Sequence, residues 1–227
     1  MGKSISESLS AKGCKVIVHY NNSKTQALRT IESLRRRGAE GIIVKADITV
    51  DADVDWLLAC SKKKYGHIDV LVNNAGLFFR TPIDSLRYED WRQTLDVNVN
   101  GTSRCARKIG LHMRDRGKGH IINIADVAGQ TPWRDYIPYS VSKACILAMN
   151  QGLALELAPH VMVNAVVPGP MLFGPDVGEQ VKHREIAKTL LKRRGRPKDV
   201  ADLIVFIAES TFSTGAVFSV DGGRGLT

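Results

Sequence analysis

Tyr139 and Lys143 stand four residues apart in the run Tyr-Ser-Val-Ser-Lys. On a helix that spacing stacks both side chains on one face. An ammonium beside a phenol favours phenolate, so the pairing is expected to lower the tyrosine pKa from about 10 towards neutrality. The result is a general acid/base usable at working pH. Asp126 closes the apolar run Ile121–Ala125, which reads as a buried strand, and is therefore expected at that strand's C-terminal tip. A carboxyl, a phenol and an amine converge on one spot if the chain brings strand and helix together.

Short apolar strands alternating with helices supply that framework. A helix over residues 3–12, closed by Gly13, precedes a strand at Lys15–Tyr20. Asn21-Asn22-Ser23 leads into a helix over 24–37. Gly41–Ala46 is a second strand with Asp47 at its tip, followed by a helix over 50–65. Ile68–Val72 is a third strand, ending in Asn73-Asn74-Ala75-Gly76. A long helical region over 84–116, broken near 90, leads to a strand at 120–125. After the Tyr139/Lys143 helix, with its periodic Ala144, Leu147, Ala148, Gln151 and Leu155, come the strand Met162–Val167 and the turn Pro168-Gly169-Pro170. A polar segment runs to Arg196, then a helix over 198–209 and a strand at 215–220. This alternation predicts an α/β fold: one doubly wound, Rossmann-type parallel sheet in a single domain over residues 1–227. Ligands of such sheets bind at the strands' C-terminal ends, where Asn21–Ser23, Asp47, Asn73–Gly76, Asp126 and Pro168–Pro170 all fall.

Composition narrows the function classes. The 227 residues are 44% hydrophobic, enough for one sizeable core, and carry a formal charge of +9. The basic residues are dispersed near expected helix ends and only 6% of the chain is aromatic, so a nucleic-acid partner is not expected. Cys14, Cys60, Cys105 and Cys145 are scattered, which fits a reduced, cytoplasmic protein rather than a disulfide framework. The six histidines show no paired ligand spacing, so no metal is expected. No apolar run approaches the roughly 20 residues that span a bilayer.

Each cluster alone has a plain structural reading as a solvated helix face, a turn or a strand terminator. Their joint order, together with Asn98 in Asp-Val-Asn-Val-Asn-Gly and the closing Val220-Asp221-Gly222-Gly223, resembles the short-chain dehydrogenase/reductase family along essentially the whole chain. The resemblance implies a catalytic group of Asn98, Asp126, Tyr139 and Lys143. Tyr139 would protonate the substrate during hydride delivery. Lys143 would hold the nicotinamide ribose, and Asn98 would anchor a relay water. Asn74, Ala75 and Gly76 would line the adenine and ribose side, with Asp47 and Ile48 near the adenine and Pro168-Gly169 at the nicotinamide. A homotetramer or dimer is implied, with the helices of 99–115 and 139–158 at an interface, and Met171–Arg196 as a substrate lid.

Two departures sharpen the expectation. The family usually has Ser where this chain has Asp126, thirteen residues before Tyr139. An ionised carboxylate only accepts hydrogen bonds and repels a developing oxyanion, so a substrate presenting N–H donors is favoured. The pteridine reductase branch carries Asp there. Phe78 in Asn-Asn-Ala-Gly-Leu-Phe-Phe matches the ring flanking a pterin, and Pro170-Met171-Leu172-Phe173 is similar to that branch. Phe78, Asp126, Tyr139 and Met171 are thereby expected against a small-molecule substrate, a pterin or dihydrofolate-like ring, with generic carbonyl or 3-oxoacyl-thioester reduction as the alternative. The segment His19, Tyr20, Asn21, Asn22, Ser23 resembles the branch's cofactor-phosphate segment and holds no acid, which favours NADP(H) over NAD, although Asn22 stands where the branch often has Arg.

The second departure is at the beginning. The family opens with a strand and a Gly-rich loop, of which only Met1-Gly2 would remain, leaving Gly2 as the sole loop glycine for the cofactor. Without that strand its two neighbours face an unpaired gap in mid-sheet, at about 1–3 kcal/mol for each buried polar group left unmet. Either the protein starts further upstream, or the chain is a truncated form, active only through a partner.

Overall fold

The computed structural model describes residues 1–174 and 177–227, so residues 175 and 176 of the expected lid lie outside the described residues. In chain order the elements are α1 (Gly2–Ala11), β1 (Val16–Tyr20), α2 (Lys24–Arg36), β2 (Gly41–Lys45), α3 (Asp51–Tyr65) and β3 (Val70–Asn73). There follow α4 (Tyr88–Leu95), α5 (Thr102–Arg116), β4 (Gly119–Ile124), α6 (Ile137–Leu157), β5 (Val161–Pro168), α7 (Glu179–Ala187), α8 (Pro197–Glu209) and β6 (Val217–Val220). The fold is of the Rossmann type, α/β with parallel strands throughout.

Local chemistry sets the boundaries. α3 carries Asp51 and Asp53 in its first turn and Lys62–Lys64 in its last, matching the helix dipole, and stops at Gly66 with φ +81°. α6 and α8 each carry a proline in the first turn, Pro138 and Pro197, where a missing N–H leaves no intrahelical bond unmade. The long helical region breaks later than the sequence suggests. α4 starts only at Tyr88, and Asp96–Gly101 then winds as a π-helical segment into α5. The polar stretch before Arg196 contains α7, a helix whose many charged residues leave no clear apolar stripe in the sequence.

β3, β4, β5 and β6 form one parallel sheet in that order, with Ile121 opposite Val163 and Ile124 opposite Val166. β4 and β5 are its buried centre. One face packs on α1 and α8 through Ile5, Val200, Ile204 and Ile207. The other packs on α5 and α6 through Ile109, Met113, Ala154 and Leu157. β1 and β2 pair in parallel as a separate two-stranded sheet, so the strand pattern is interrupted between β1 and β3.

A buried amide ladder ties the layers beneath the strand tips. Asn73 Nδ2 donates to Asn123 Oδ1 (2.9 Å), and Asn123 Nδ2 donates to Asn150 Oδ1 (3.1 Å). Asn150 Nδ2 then donates to the Ala216 carbonyl (3.3 Å). Asn123 and Asn150 are fully buried, so each link replaces a hydrogen bond to water that burial removed.

On α6 the structure corrects one sequence expectation. Ala144, Ala148, Gln151 and Leu155 face outward, while Tyr139, Lys143, Ile146, Asn150 and Leu157 form the buried face. The buried face was harder to see because it includes three polar side chains that serve the site and the amide ladder.

Candidate active site

β4 ends at Ile124, and two residues later Asp126 caps the single turn Val127–Gly129. Its Oδ1 accepts the Ala128 N–H (2.9 Å), which fixes the carboxyl and leaves Oδ2 directed at α6. There Tyr139 Oη donates to Asp126 Oδ2 (3.0 Å). One turn along α6, Lys143 Nζ donates to the Ile124 carbonyl (2.7 Å) and lies 5.7 Å from the centre of the Tyr139 ring. Strand tip and helix thus bring the carboxyl, phenol and amine together.

Their electrostatics reverse the expectation for Tyr139. Burial raises the phenol's pKa well above the ordinary tyrosine value, and the Asp126 charge and hydrogen bond raise it further. Lys143 lies too far back, bonded to a backbone carbonyl, to outweigh them. Burial in turn lowers the Lys143 pKa to about 8, against the opposing charge of Asp126. Asp126 is raised as well: burial outweighs the Ala128 N–H and the Lys143 charge, both of which favour carboxylate. Burial therefore favours the neutral form of each group. Tyr139 holds its proton as a donor, and Asp126 is shifted towards the neutral acid rather than the fixed carboxylate inferred from sequence.

Asn98 belongs to the π-helical segment, a distortion common at functional sites. Its Oδ1 accepts the Leu77 N–H (2.7 Å), and its Nδ2 donates to the Leu77 carbonyl (3.0 Å) and to Ser142 Oγ (3.0 Å). Asn98 thereby locks the loop after β3 to α6, through the buried Ser142, which sequence reasoning passed over. Gly76 sits between them. A Cβ there would lie 3.1 Å from Asn98 Oδ1, so the glycine lets the Asn98 amide sit close against the loop, with Lys143 Nζ an ordinary contact away at 4.0 Å. Gly129 was also missed. A Cβ on it would stand 2.6 Å from the Lys143 carbonyl carbon, so the turn below Asp126 rests directly on the α6 backbone.

Phe78 meets Tyr139 edge to face (centroids 4.8 Å, 67°) and stacks on Tyr136 (4.9 Å, 6°), with Trp133 edge-on to Phe78 and to Tyr136. Phe78 remains half exposed, forming an aromatic wall beside the phenol. Tyr136 and Trp133 had no signal beyond their residue type. Met171 is not at this wall: it is packed in the core against Val200 and Ile204, and lines a cavity of about 230 Å³ with Leu191, Asp199 and Asp221.

The remaining expected cofactor residues occupy the strand tips. Asn21 Nδ2 donates to Asp47 Oδ2 (2.9 Å), joining the tips of β1 and β2, and Thr49 holds Asp47 Oδ1 through its N–H and hydroxyl. These Thr49 bonds hold the Asp47 carboxyl below its usual pKa. His19 bonds the Ala46 carbonyl through Nε2 (2.8 Å), Tyr20 is half-buried, and Asn22 and Ser23 are exposed at the start of α2. Ile48 is core, touching Val54 and Cys105, with Ala75 packed beside it. Gly2 lies against Asn74, whose Nδ2 is 3.2 Å from a Cβ placed there. Pro168 is buried, and a Cβ on Gly169 would stand 2.6 Å from the Asp221 Cα, so only glycine fits that crossing. A dinucleotide fits this row at its nicotinamide end. Lys143 is 7% exposed, and Ile124 takes only one of its three donors among the described residues, which leaves N–H groups for ribose hydroxyls.

Fold and site define a nicotinamide-dependent oxidoreductase, and comparison with known proteins places the chain within a family. It belongs to the short-chain dehydrogenase/reductase family: a family model described as enoyl-(acyl carrier protein) reductase matches residues 1–224. It is 36% identical over 228 residues to a 3-oxoacyl-acyl-carrier-protein reductase of Synechocystis, covering 98% of this chain and 92% of that protein. It is 32% identical to glucose 1-dehydrogenase 2 of Bacillus subtilis, covering 100% of this chain and 91% of the relative. The crystal structure of a dehydrogenase/reductase from Sinorhizobium meliloti superposes with a TM-score of 0.91 at 27% identity, covering 98% of this chain and 90% of that one. No helix among the described residues is long and apolar enough to cross a membrane.

Proposed function

We propose that the protein reduces the ketone of a 3-oxoacyl-type substrate with NADPH, using Tyr139 as proton donor and neutral Asp126 as the oxyanion's hydrogen-bond partner. The observation that carries this reading is the Tyr139–Asp126 hydrogen bond inside a site whose burial raises the Asp126 pKa. The objection to carbonyl chemistry was the charge on Asp126. A protonated carboxyl has no such charge and donates a hydrogen bond, as the family's usual serine does. The named relatives, a 3-oxoacyl reductase and a sugar dehydrogenase, also act on oxygen-bearing carbon and support the carbonyl reading over the pterin one.

A nicotinamide cofactor, when bound, would supply the hydride. Lys143 would hold the ribose through N–H groups not taken by the Ile124 carbonyl, and it keeps a positive charge beside Tyr139 below about pH 8, which favours phenolate as the phenol gives up its proton. Asp126 Oδ1 stays on the Ala128 N–H, which leaves Oδ2, the oxygen that faces Tyr139, to exchange hydrogen bonds at the site. Asn98 positions the Leu77 loop against Ser142 and so fixes the floor of the site. His19–Ser23 contains no acid to repel a 2′-phosphate, which favours NADPH over NADH.

A second reading, a pterin-like ring, rests on the half-exposed Phe78 face beside Tyr139. NADPH oxidation with a 3-oxoacyl thioester and with a dihydropterin separates the two. Turnover is expected with the thioester, with NADPH preferred over NADH. Turnover confined to the dihydropterin contradicts the ketone assignment.

A further inference from the structure

We propose that Arg224 anchors an acidic group of the substrate, so that the preferred ketone carries a carboxylate a few bonds from its carbonyl; this rests on the ketone reading above. The segment after β6 places the arginine. Asp221 Oδ1 accepts the Gly223 N–H (3.0 Å) and Oδ2 accepts the Gly225 N–H (2.7 Å), which folds residues 221–225 into a tight turn. That turn lies against the site at two points. A Cβ on Gly169, at the expected nicotinamide end, would stand 2.6 Å from the Asp221 Cα. One on Gly225 would stand 3.4 Å from Gln130 Oε1, at the close of the short turn that Asp126 opens. On its other side the segment meets the chain after α7, where a Cβ on Gly223 would stand 2.6 Å from Leu190. Arg224 is thus held between α7 and the Asp126 turn, and its charge reaches the Asp126 carboxyl.

A buried guanidinium needs acceptors, and its surroundings leave some of its donors unmet. The side chain is only 7% exposed. Nη1 donates to the Thr227 carbonyl (2.9 Å). Nη2 reaches Glu185 Oε2 of α7 at 3.4 Å, beyond the roughly 2.7–2.9 Å of a firm charge-assisted bond. Nε is shielded from solvent and has no hydrogen-bond partner among the described residues.

The charge balance points the same way. Glu185 is shared, because Lys188 holds its Oε1 at 2.7 Å and Arg184 approaches the same oxygen at 3.7 Å. Asp221 has both oxygens on backbone N–H groups, and burial shifts Asp126 towards the neutral acid. Lys143 adds a further positive charge below about pH 8. An incompletely paired cation held out of water is costly, so an arriving anion is favoured there. A carboxylate meets Nε and Nη2 side by side, in the two-pronged geometry that a guanidinium offers. It displaces Glu185, which keeps Lys188 as its partner. Because the Arg224 charge bears on the same Asp126 that bonds Tyr139, anion and carbonyl belong to one short molecule.

The first measurement is calorimetric binding of hexanedioate to the full 227-residue chain with NADPH present, which needs no turnover. Arg224→Gln is expected to weaken binding about tenfold or more, and Arg224→Lys to weaken it less. Glu185→Gln is expected to tighten it, since the competing carboxylate is gone. A mere latch between Arg224 and α7 predicts instead that Arg224→Gln and Glu185→Gln act alike. Glu185→Gln leaves the arginine in place, so its direction decides the matter even where Arg224→Gln fails to fold. The second measurement compares kcat/KM for the 3-oxohexanedioyl and 3-oxohexanoyl thioesters of N-acetylcysteamine, which differ only in the terminal carboxylate. The acidic one is expected to be favoured about tenfold or more, and Arg224→Gln to abolish the preference. Hexanedioate binding that is absent, unmoved by Arg224→Gln or weakened by Glu185→Gln overturns the proposal, as do equal rates with both thioesters. Hexanedioate bound through Arg224 with neither thioester reduced would sink the ketone reading and leave the anion site standing.

Discussion

Asp126 and Tyr139 share a single hydrogen bond, and the proton within it decides what the pair can do. A buried phenol that donates to a carboxyl is a poor base at neutral pH but a well-held acid, the role a reductive direction requires. The residue types were legible in the sequence, as were their convergence and the family to which they belong. Their ionisation was not. It depends on how deeply each group is buried and on Lys143 being bonded to Ile124 rather than to the phenol, neither of which spacing reveals. Gly129 follows the same logic, because its value lies only in a close approach between two backbones. Gly129→Ala is expected to lose about 1–3 kcal/mol of stability by forcing the turn away from α6. Turnover should fall with it as Lys143 and Asp126 move apart. Denaturant unfolding and steady-state kinetics on the same variant check both effects.

At the scale of elements, the site depends on β3, β4 and α6 keeping a fixed mutual height. The amide ladder Asn73–Asn123–Asn150 does this, because amides bond only in register whereas apolar side chains slide. Replacing Asn123 by Ala strands the Asn150 carbonyl oxygen and the Asn73 amide and opens a void between them. A loss of about 1–3 kcal/mol per unmet buried group is expected, read as a lower denaturant midpoint with unchanged slope. Apolar alternation located β1, β2, β4 and β5 in the sequence to within about two residues, the margin on which assignments differ anyway. α7 was missed, because a charged surface helix shows no periodic signal. The true face of α6 was also missed, since its buried stripe mixes Tyr139, Lys143 and Asn150 with Ile146.

For the whole molecule, burial of the catalytic group links stability to pH. Burial holds the folded-state pKa of Asp126 above its ordinary 3.8. Its contribution to stability is therefore fully present below that value and is lost as pH rises through the folded pKa. Asp126→Asn removes the titration. The difference in melting temperature, variant minus native, is expected to increase as pH rises from about 4 through the elevated folded pKa and then level off. A constant or decreasing difference would show that Asp126 ionises freely in the fold.

The central claim is that Asp126 works as a neutral acid beside Tyr139, and the pH dependence of ketone reduction tests it most directly. With NADPH saturating, kcat/KM for a 3-oxoacyl thioester is measured across the pH range for the native enzyme and for Asp126→Ser, whose hydroxyl donates without titrating in that range. The native profile is expected to fall as pH rises through the elevated Asp126 pKa, while the serine variant loses that limb and holds its rate to higher pH. Coincident profiles, or a native rate that climbs as Asp126 ionises, would contradict the account.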